Sequence, residues 1–517
     1  MMEYSEKDSA LTYEWDTTHE AIVTECQVDY TLPDYLPEIR KILAVNARIV
    51  PALQYSEEGG VEFSGLCAYT VIYNDGDGKL SAVSVNGEYR LTGKKSERGR
   101  IPPYEETEVE STVCRLHGPR RLTLRSSLRS RVHTVEELAL PTVEGEGYLR
   151  LGHRTLARVT HLADTGEIAF SDAVTVPGTP PDSLRLLLCD GSLQVDEVRP
   201  GDGMLTLRGV AHVRLIAADE GGRPICLASH IPLEREIVAE GVTDEDSPLF
   251  DGCLSLIGVR STGDGEGGTR FEIDGTAEGR VRLYRNRELS PTVQLYSPTF
   301  RTEVQRSPLM LEHLVGVMGG SYTVSGSGGT VGDEPCGSLL DSTATATVRK
   351  ITEEGGHPVV LGDVRIRHLV VGSPTEEVPA PCTVAEYSYP FRIEVPMTLS
   401  AGERRYECTV RPVAVRGHLA DGGYAADTEL ALSLAVFARE GMSVVSSVTP
   451  HPEEAYETPA GLVRVVYPDP EDSLWTVAER YHTTPAAIAA TNNLTLPDEG
   501  GMALPSSLDG VAYLLLE

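Results

Sequence analysis

The side chains that could do covalent chemistry are present in this chain, but no signature assembles them. Cys67 and Cys114 are candidate nucleophiles, because a thiolate beside a histidine attacks carbonyl carbon. Cys67, however, falls on the inward face of a strand-like alternation, where a thiol is usually inert. The string His-Leu-Ala-Asp occurs twice, at His161 to Asp164 and at His418 to Asp421, in different contexts before turns, and is read as coincidence. Paired carboxylates could serve glycoside hydrolysis, but 77 acidic residues supply every spacing and select none. The chain contains no H-E-x-x-H, no G-x-S-x-G, no G-x-x-x-x-G-K-[ST] and no G-x-G-x-x-G opening a helix. Its nine cysteines are odd in number, widely spaced and without a C-x-x-C pair, so neither a disulfide framework nor a zinc site is expected. The expectation is a non-enzymatic protein with no metal and no organic cofactor.

The residues that could instead bind something cluster near the C-terminus: Glu471, Asp472, Ser473, Leu474 and Trp475, then Asn493, Leu494 and Thr495. Two short helices must position them. Leu474, Val477, Ala478 and Tyr481 recur at i, i+3, i+4 and i+7, an apolar stripe on one helical face. Asp472 or Ser473 can cap that helix, Thr484 followed by Pro485 starts a second, and Asn492 and Asn493 end it. β-rich Leu462 to Tyr467 before the pair and Met502 to Leu504 after it give the order strand, helix, helix, strand. Trp475 lies beside the stripe, so core and contact surface are both open to it.

This segment resembles a LysM module. The resemblance implies binding of N-acetylglucosamine-containing glycans in a shallow groove between the loop before the first helix, Pro470 to Ser473, and the loop after the second, Asn493 to Leu496. The family usually has Gly-Asp-Thr where this chain has Glu471-Asp472-Ser473, which adds a carboxylate at the groove lip and disfavours close approach of a sugar.

Composition limits the partners. A formal charge of −32 and a pI near 4.8 oppose polyanions, since phosphate binding needs clustered Lys and Arg; nucleic acid and anionic lipid are therefore not expected. One run, Arg115 to Arg131, carries six arginines and no acidic residue. It reads as a solvated strand face, with a docking patch for an acidic protein as the alternative. The start, Met1 to Asp8, lacks a basic run followed by an apolar core, and no stretch approaches the ~20 apolar residues of a spanning helix; the expected location is the cytoplasm.

The body repeats. Val61 to Val71, Leu205 to Leu215 and Val359 to His368 share a strand-like pattern centred on Gly65, Gly209 and Gly362, about 150 residues apart. Position +2 is Cys67, Ala211 or Val364 and position +4 is Tyr69, Val213 or Ile366, the period-two alternation of a half-buried strand. The glycine reads as a bulge or a close packing point. A second apolar strand follows 24 to 29 residues later at Tyr89, Leu233 and Phe391, and more alternation at Leu122 to Val132, Phe271 to Leu283 and Leu430 to Phe437. Turn signals such as Asn74-Asp-Gly76 and Asp421-Gly-Gly423 favour antiparallel hairpins. Such a period is too long for a solenoid, so the expected fold is mainly β: three tandem antiparallel β-sandwich-like domains followed by a small βααβ LysM domain.

The Val28 to Leu43 segment with its Pro33-x-x-x-Pro37-Glu38 pattern, the three β repeats and the terminal LysM together resemble the SipL-type spore coat morphogenetic proteins of clostridia. That resemblance implies SPOCS-type β domains at 17–150, 151–305 and 306–445, between a tail (1–16) and a linker (446–460), with the LysM at 461–507 and a final tail (508–517). It further implies a structural adaptor at the forespore surface, in the mother-cell cytoplasm, whose LysM engages the coat ATPase known as stage IV sporulation protein A. The alternative is a peptidoglycan- or glycan-binding protein or an accessory of a wall hydrolase.

Overall fold

The computed structural model describes residues 12–18, 22–57, 60–94, 99, 101–143, 146–180, 183–328, 337–373, 381–420, 423–457, 463–494, 508 and 510–516. Strands make up 76% and helices 3%, so the fold is mainly β.

The first repeat builds β1 (Thr12–Thr18), β2 (Ile22–Thr31), β3 (Ile39–Glu57), β4 (Gly60–Asp75), β5 (Leu80–Lys94), β6 (Tyr104–Gly118) and β7 (Arg121–Ala139). β3, β4 and β5 form one antiparallel sheet, while β1, β2 and β6 all pair with β7 in another. Val61, Phe63, Cys67, Tyr69 and Val71 alternate inward along β4 and meet Leu122, Leu124 and Leu128 of β7 in one core, which makes the pair a sandwich. After β8 (Leu149–Gly152), the second repeat follows the same plan with β9 (Thr155–Asp164), β10 (Ile168–Val176), β11 (Leu184–Gly201), β12 (Met204–Asp219), β13 (Pro224–Val238), β14 (Ser247–Gly263) and β15 (Thr269–Leu289). After β16 (Thr292–Tyr296), the third comprises β17 (Phe300–Gly328), β18 (Ser338–Glu354), β19 (His357–Val371), β20 (Cys382–Glu394), β21 (Arg404–Ala420) and β22 (Gly423–Ala455). Here the single long β17 takes the place that β1 and β2, or β9 and β10, share in the other two.

The three marker glycines do the same job. Gly65 faces Tyr89, Gly209 faces Leu233 and Gly362 faces Phe391 across the neighbouring strand. Each also sits opposite a register shift in the preceding strand, at Val50/Leu53, Val195/Glu197 and Val348/Lys350. A Cβ would overlap the Tyr89 ring at Gly65, the Gln194 carbonyl at Gly209, and the Thr347 carbonyl with the Phe391 ring at Gly362. The bulge brings backbone and ring against the central strand, and only glycine leaves the room. Tyr89, Leu233 and Phe391, which the sequence suggests as strand starts, are these cross-strand partners in mid-strand.

The sandwiches close on one another in a ring. Arg48 of the first donates to the Leu254 carbonyl of the second. Arg214 of the second reaches Asp341 (3.2 Å) and the Ser342 carbonyl (3.4 Å) of the third. Arg367 of the third returns to Asn46 Oδ1 (2.6 Å) and the Val45 carbonyl (3.1 Å) of the first. Ala44, Ile72 and Leu80, Leu188 and Ile216, and Leu369 and Cys382 pack together where all three meet.

A second junction is ionic. Arg282 of the second sandwich bonds Glu106 of the first and Glu407 of the third (3.0 Å), and Arg158 of the second bonds Glu312 of the third (2.9 Å). Arg405 joins Glu312 (2.8 Å) and Glu407 (2.6 Å), and lies 3.7 Å from Asp16 of the first. His133 stands 3.6 Å from Asp16 and 3.4 Å from Glu106. Burial opposes a charge on His133, but its bonds to Asp16 and Glu106 outweigh that and raise its pKa to about 9. A raised histidine adds stability that is complete below the unfolded pKa of about 6.5 and is lost as pH rises through about 9. Unfolding midpoints in urea should therefore fall from pH 6.5 to 9.5 by an amount equivalent to about 3 kcal/mol, at 1.36 kcal/mol per pKa unit. In His133→Gln that decline should largely disappear.

Several boundaries differ from expectation. Residues 12–16, placed in a tail, belong to β1 on β7. Residues 446–455, placed in a linker, are the end of β22, where Ser447 to Pro450 continue the ladder with Gln305 to Thr302 of β17. β17 also crosses the 305/306 boundary. The arginine run lies on β6 and β7, where Arg125 pairs with Glu25 and Arg129 with Glu110, and Arg120 donates to the Leu36 carbonyl (3.0 Å). Neighbouring strands and the Pro33 to Pro37 loop thus occupy Arg125, Arg129 and Arg120, three of the six.

Candidate functional site

The C-terminal module comprises β23 (Arg464–Val466), α1 (Leu474–Arg480), α2 (Pro485–Thr491) and β24 (Leu514–Leu516), with β23 and β24 antiparallel. The strand partner of β23 is thus in the segment expected to be a tail; Met502 to Leu504 lies outside the described residues. Ser473 caps α1, accepting from the Thr476 N–H at 3.1 Å while Thr476 Oγ1 accepts from the Ser473 N–H at 2.8 Å. Thr484 caps α2 with Pro485 in its first turn. Leu474, Val477, Ala478 and Ile488 form the core with Val466, Leu514 and Leu516.

The candidate binding residues divide in two. Glu471 and Asn493 are exposed and Ser473 and Leu494 half-buried. Ser473 stands at the start of α1 and Asn493 just past the end of α2. Asn493 holds a left-handed φ of 53° that Asn tolerates well, and the Leu494 N–H closes the helix end on the Ala489 carbonyl at 2.9 Å. Thr495 lies outside the described residues. Asp472 is turned inward: it accepts from the Asp469 N–H (3.0 Å) and binds Arg480 at 2.7 Å. Those backbone and guanidinium bonds hold its carboxyl below the usual range, so Asp472 braces the loop and leaves Glu471 as the free carboxylate at the lip. Asn492, which the sequence marked only as a helix end, ties α2 to β24: its Nδ2 donates to Ile488 O (2.8 Å) and Leu515 O (2.7 Å), and its Oδ1 accepts from the Leu515 N–H (2.7 Å).

Leu474 and Trp475 lie in the core rather than at the lips. Both are 2% exposed. The stripe leaves Trp475 to one side, with core and contact surface both open to it; in the fold that side is covered by the body. β8 and β16 pair into a ribbon, and Leu151 and Tyr296 from it enter the module's core. The Tyr296 ring meets Trp475 edge to face at 5.0 Å and its hydroxyl donates to the Thr483 carbonyl at 2.8 Å. Tyr456 stacks on His482 with centroids 3.5 Å apart. The module is thus fixed to the body through Trp475, His482 and Thr483. Pro470, Glu471 and Asn493 are exposed.

The candidate nucleophiles are not paired with histidine among the described residues. Cys67 is fully buried, and its hydrogen bond with Cys26, then burial, push its thiol far up. Burial raises Cys114 to about 11. Of the repeated His-Leu-Ala-Asp strings, Asp164 pairs with Arg280 at 2.8 Å, and Asp421 lies outside the described residues. No helix among the described residues is long and apolar enough to cross a membrane.

Comparison with known proteins agrees with this geometry in one place. Neither the curated proteins nor the solved structures give a match to the chain. Residues 469–498 match the LysM domain family, so the module that holds Glu471, Ser473, Asn493 and Leu494 is a LysM domain, which supports a peptidoglycan- or glycan-binding role.

Proposed function

We propose that this chain is a non-catalytic binding scaffold that takes N-acetylglucosamine-containing glycan in the LysM groove and holds that groove in fixed orientation on a ring of three sandwiches. What supports this reading most is the match of residues 469–498 to the LysM domain family, a segment in which Glu471 and Asn493 are exposed. Glu471 disfavours close approach of a sugar, so Glu471→Gly should tighten binding to purified peptidoglycan about 5-fold, roughly 1 kcal/mol. Co-sedimentation of wild type and variant checks this; equal or weaker binding by the variant counts against the groove.

A specific observation favours a second reading, the adaptor in spore coat assembly. Val463, Val465, Tyr467 and Tyr513 are 53–75% exposed on and beside β23 and β24, an apolar set suited to a protein partner. Under this reading the face docks a coat ATPase of the stage IV sporulation protein A type, with the chain at the forespore surface in the mother-cell cytoplasm. Tyr467→Asp should then abolish binding of that purified ATPase while peptidoglycan binding is unchanged. Unaltered ATPase binding, or none by wild type, removes this reading.

A further inference from the structure

Two histidines that the sequence keeps 18 residues apart are brought face to face by strand register. His212 on β12 is the direct cross-strand partner of His230 on β13, and their Nδ1 atoms are 2.7 Å apart. His212 is half-buried and His230 exposed. On the far side of the ring, His212 Nε2 lies 3.0 Å from Gln194 Oε1, and the Gln194 amide nitrogen donates to Asp196 at 2.8 Å. An amide oxygen can only accept, so His212 carries its proton on Nε2 and turns the Nδ1 lone pair toward His230. A hydrogen-bond acceptor behind one ring nitrogen fixes the tautomer and orientation of the other; metal-ligating histidines are held in the same way.

We propose that His212 and His230 form a surface site for a tetragonal divalent transition metal ion of the Ni2+ or Cu2+ class, with both Nδ1 atoms as ligands and solvent filling the remaining positions. The metal takes the place of the proton between the rings: in neutral His230 that proton moves through solvent from Nδ1 to Nε2 and none is released, whereas in a His230 imidazolium Nε2 is already protonated and the Nδ1 proton is lost to solvent. Geometry selects the class. Two nitrogens about 2.05 Å from one ion are about 2.9 Å apart at a right angle and about 3.3 Å apart at a tetrahedral angle, so the observed gap fits the square arrangement of Ni2+ or Cu2+ better than Zn2+. Burial and the neighbouring His230 lower the His212 pKa, which keeps it in the ligating form at neutral pH, and Glu429 and Asp196 add negative potential. The cluster of His451, Glu453 and Glu454 is a poorer candidate, because Arg301 already binds Glu454 and Glu303 at 3.0 Å each.

The test is calorimetric titration of the full chain with Ni2+ at pH 7.5, comparing wild type, His230→Asn, His212→Gln and Gln194→Ala. Other side chains of the chain can take up Ni2+, so the readout is the difference between isotherms. Wild type should bind one equivalent more than either histidine variant, and Gln194→Ala should keep that equivalent with about 10-fold weaker affinity. Circular dichroism establishes that each variant is folded; the exposed His230→Asn change carries the test if His212→Gln is not. If wild type and His230→Asn bind the same number of equivalents with the same affinity, or if wild type binds none, the site does not exist.

Discussion

Trp475→Ala is expected to unfold the LysM and with it any ligand binding. The indole is 2% exposed and packs between Leu474, Val477 and the Tyr296 ring. Truncating a buried Trp commonly costs about 3–5 kcal/mol, and a module of two seven-residue helices and two three-residue strands has little else to offset it. Limited proteolysis of the full chain should cut the variant near the C-terminus at protease levels that wild type survives, and Trp475→Phe should recover most of the resistance. A Trp475→Ala protein that stays resistant but no longer binds would mean the indole is a contact residue after all.

Arg282→Ala should be comparably severe for the body. Its guanidinium is fully buried and holds Glu106 of the first sandwich and Glu407 of the third. Removing one partner of a buried pair strands the remaining charges and typically costs about 3–5 kcal/mol. The account predicts a lowered urea midpoint in which the sandwiches separate before their individual cores unfold, detectable as hydrogen exchange rising first in β6, β15 and β21. Arg282→Met paired with Glu106→Gln and Glu407→Gln should recover part of the loss, because it removes the stranded charges as well as the cation. A midpoint within experimental error of wild type for Arg282→Ala would show that the junction does not hold the ring together.

What could be read from the sequence was local. The alternation around Gly65, Gly209 and Gly362 reports each central strand, because one buried face forces period two, and the glycine reports a bulge that no Cβ permits. Ser473 and Thr484 report helix starts because capping is a matter of three consecutive residues. The ring could not be read this way. Arg48 and Leu254, or Arg367 and Asn46, meet only once three sandwiches are docked, and nothing near Arg367 in the chain distinguishes it from any solvated arginine. The place of Trp475 stayed open for the same reason: the helical stripe describes what α1 does within its own module and is blind to Tyr296, which arrives from the ribbon between the sandwiches. His212 and His230 are likewise neighbours through strand register alone. The exposure of Glu471 and Asn493 was legible from loop position, whereas the inward turn of Asp472 depends on Arg480 being one helix length away.

The most direct test of the central claim, that ligand enters the LysM groove while the body serves as its mount, is hydrogen exchange on the full chain with and without a soluble N-acetylglucosamine oligomer. The account predicts slowed exchange in the two lips, residues 469–473 and 492–494, with the rates of the three sandwiches and of the β8–β16 ribbon unchanged. Protection confined to the sandwiches, or no protection anywhere at saturating oligomer, would contradict it.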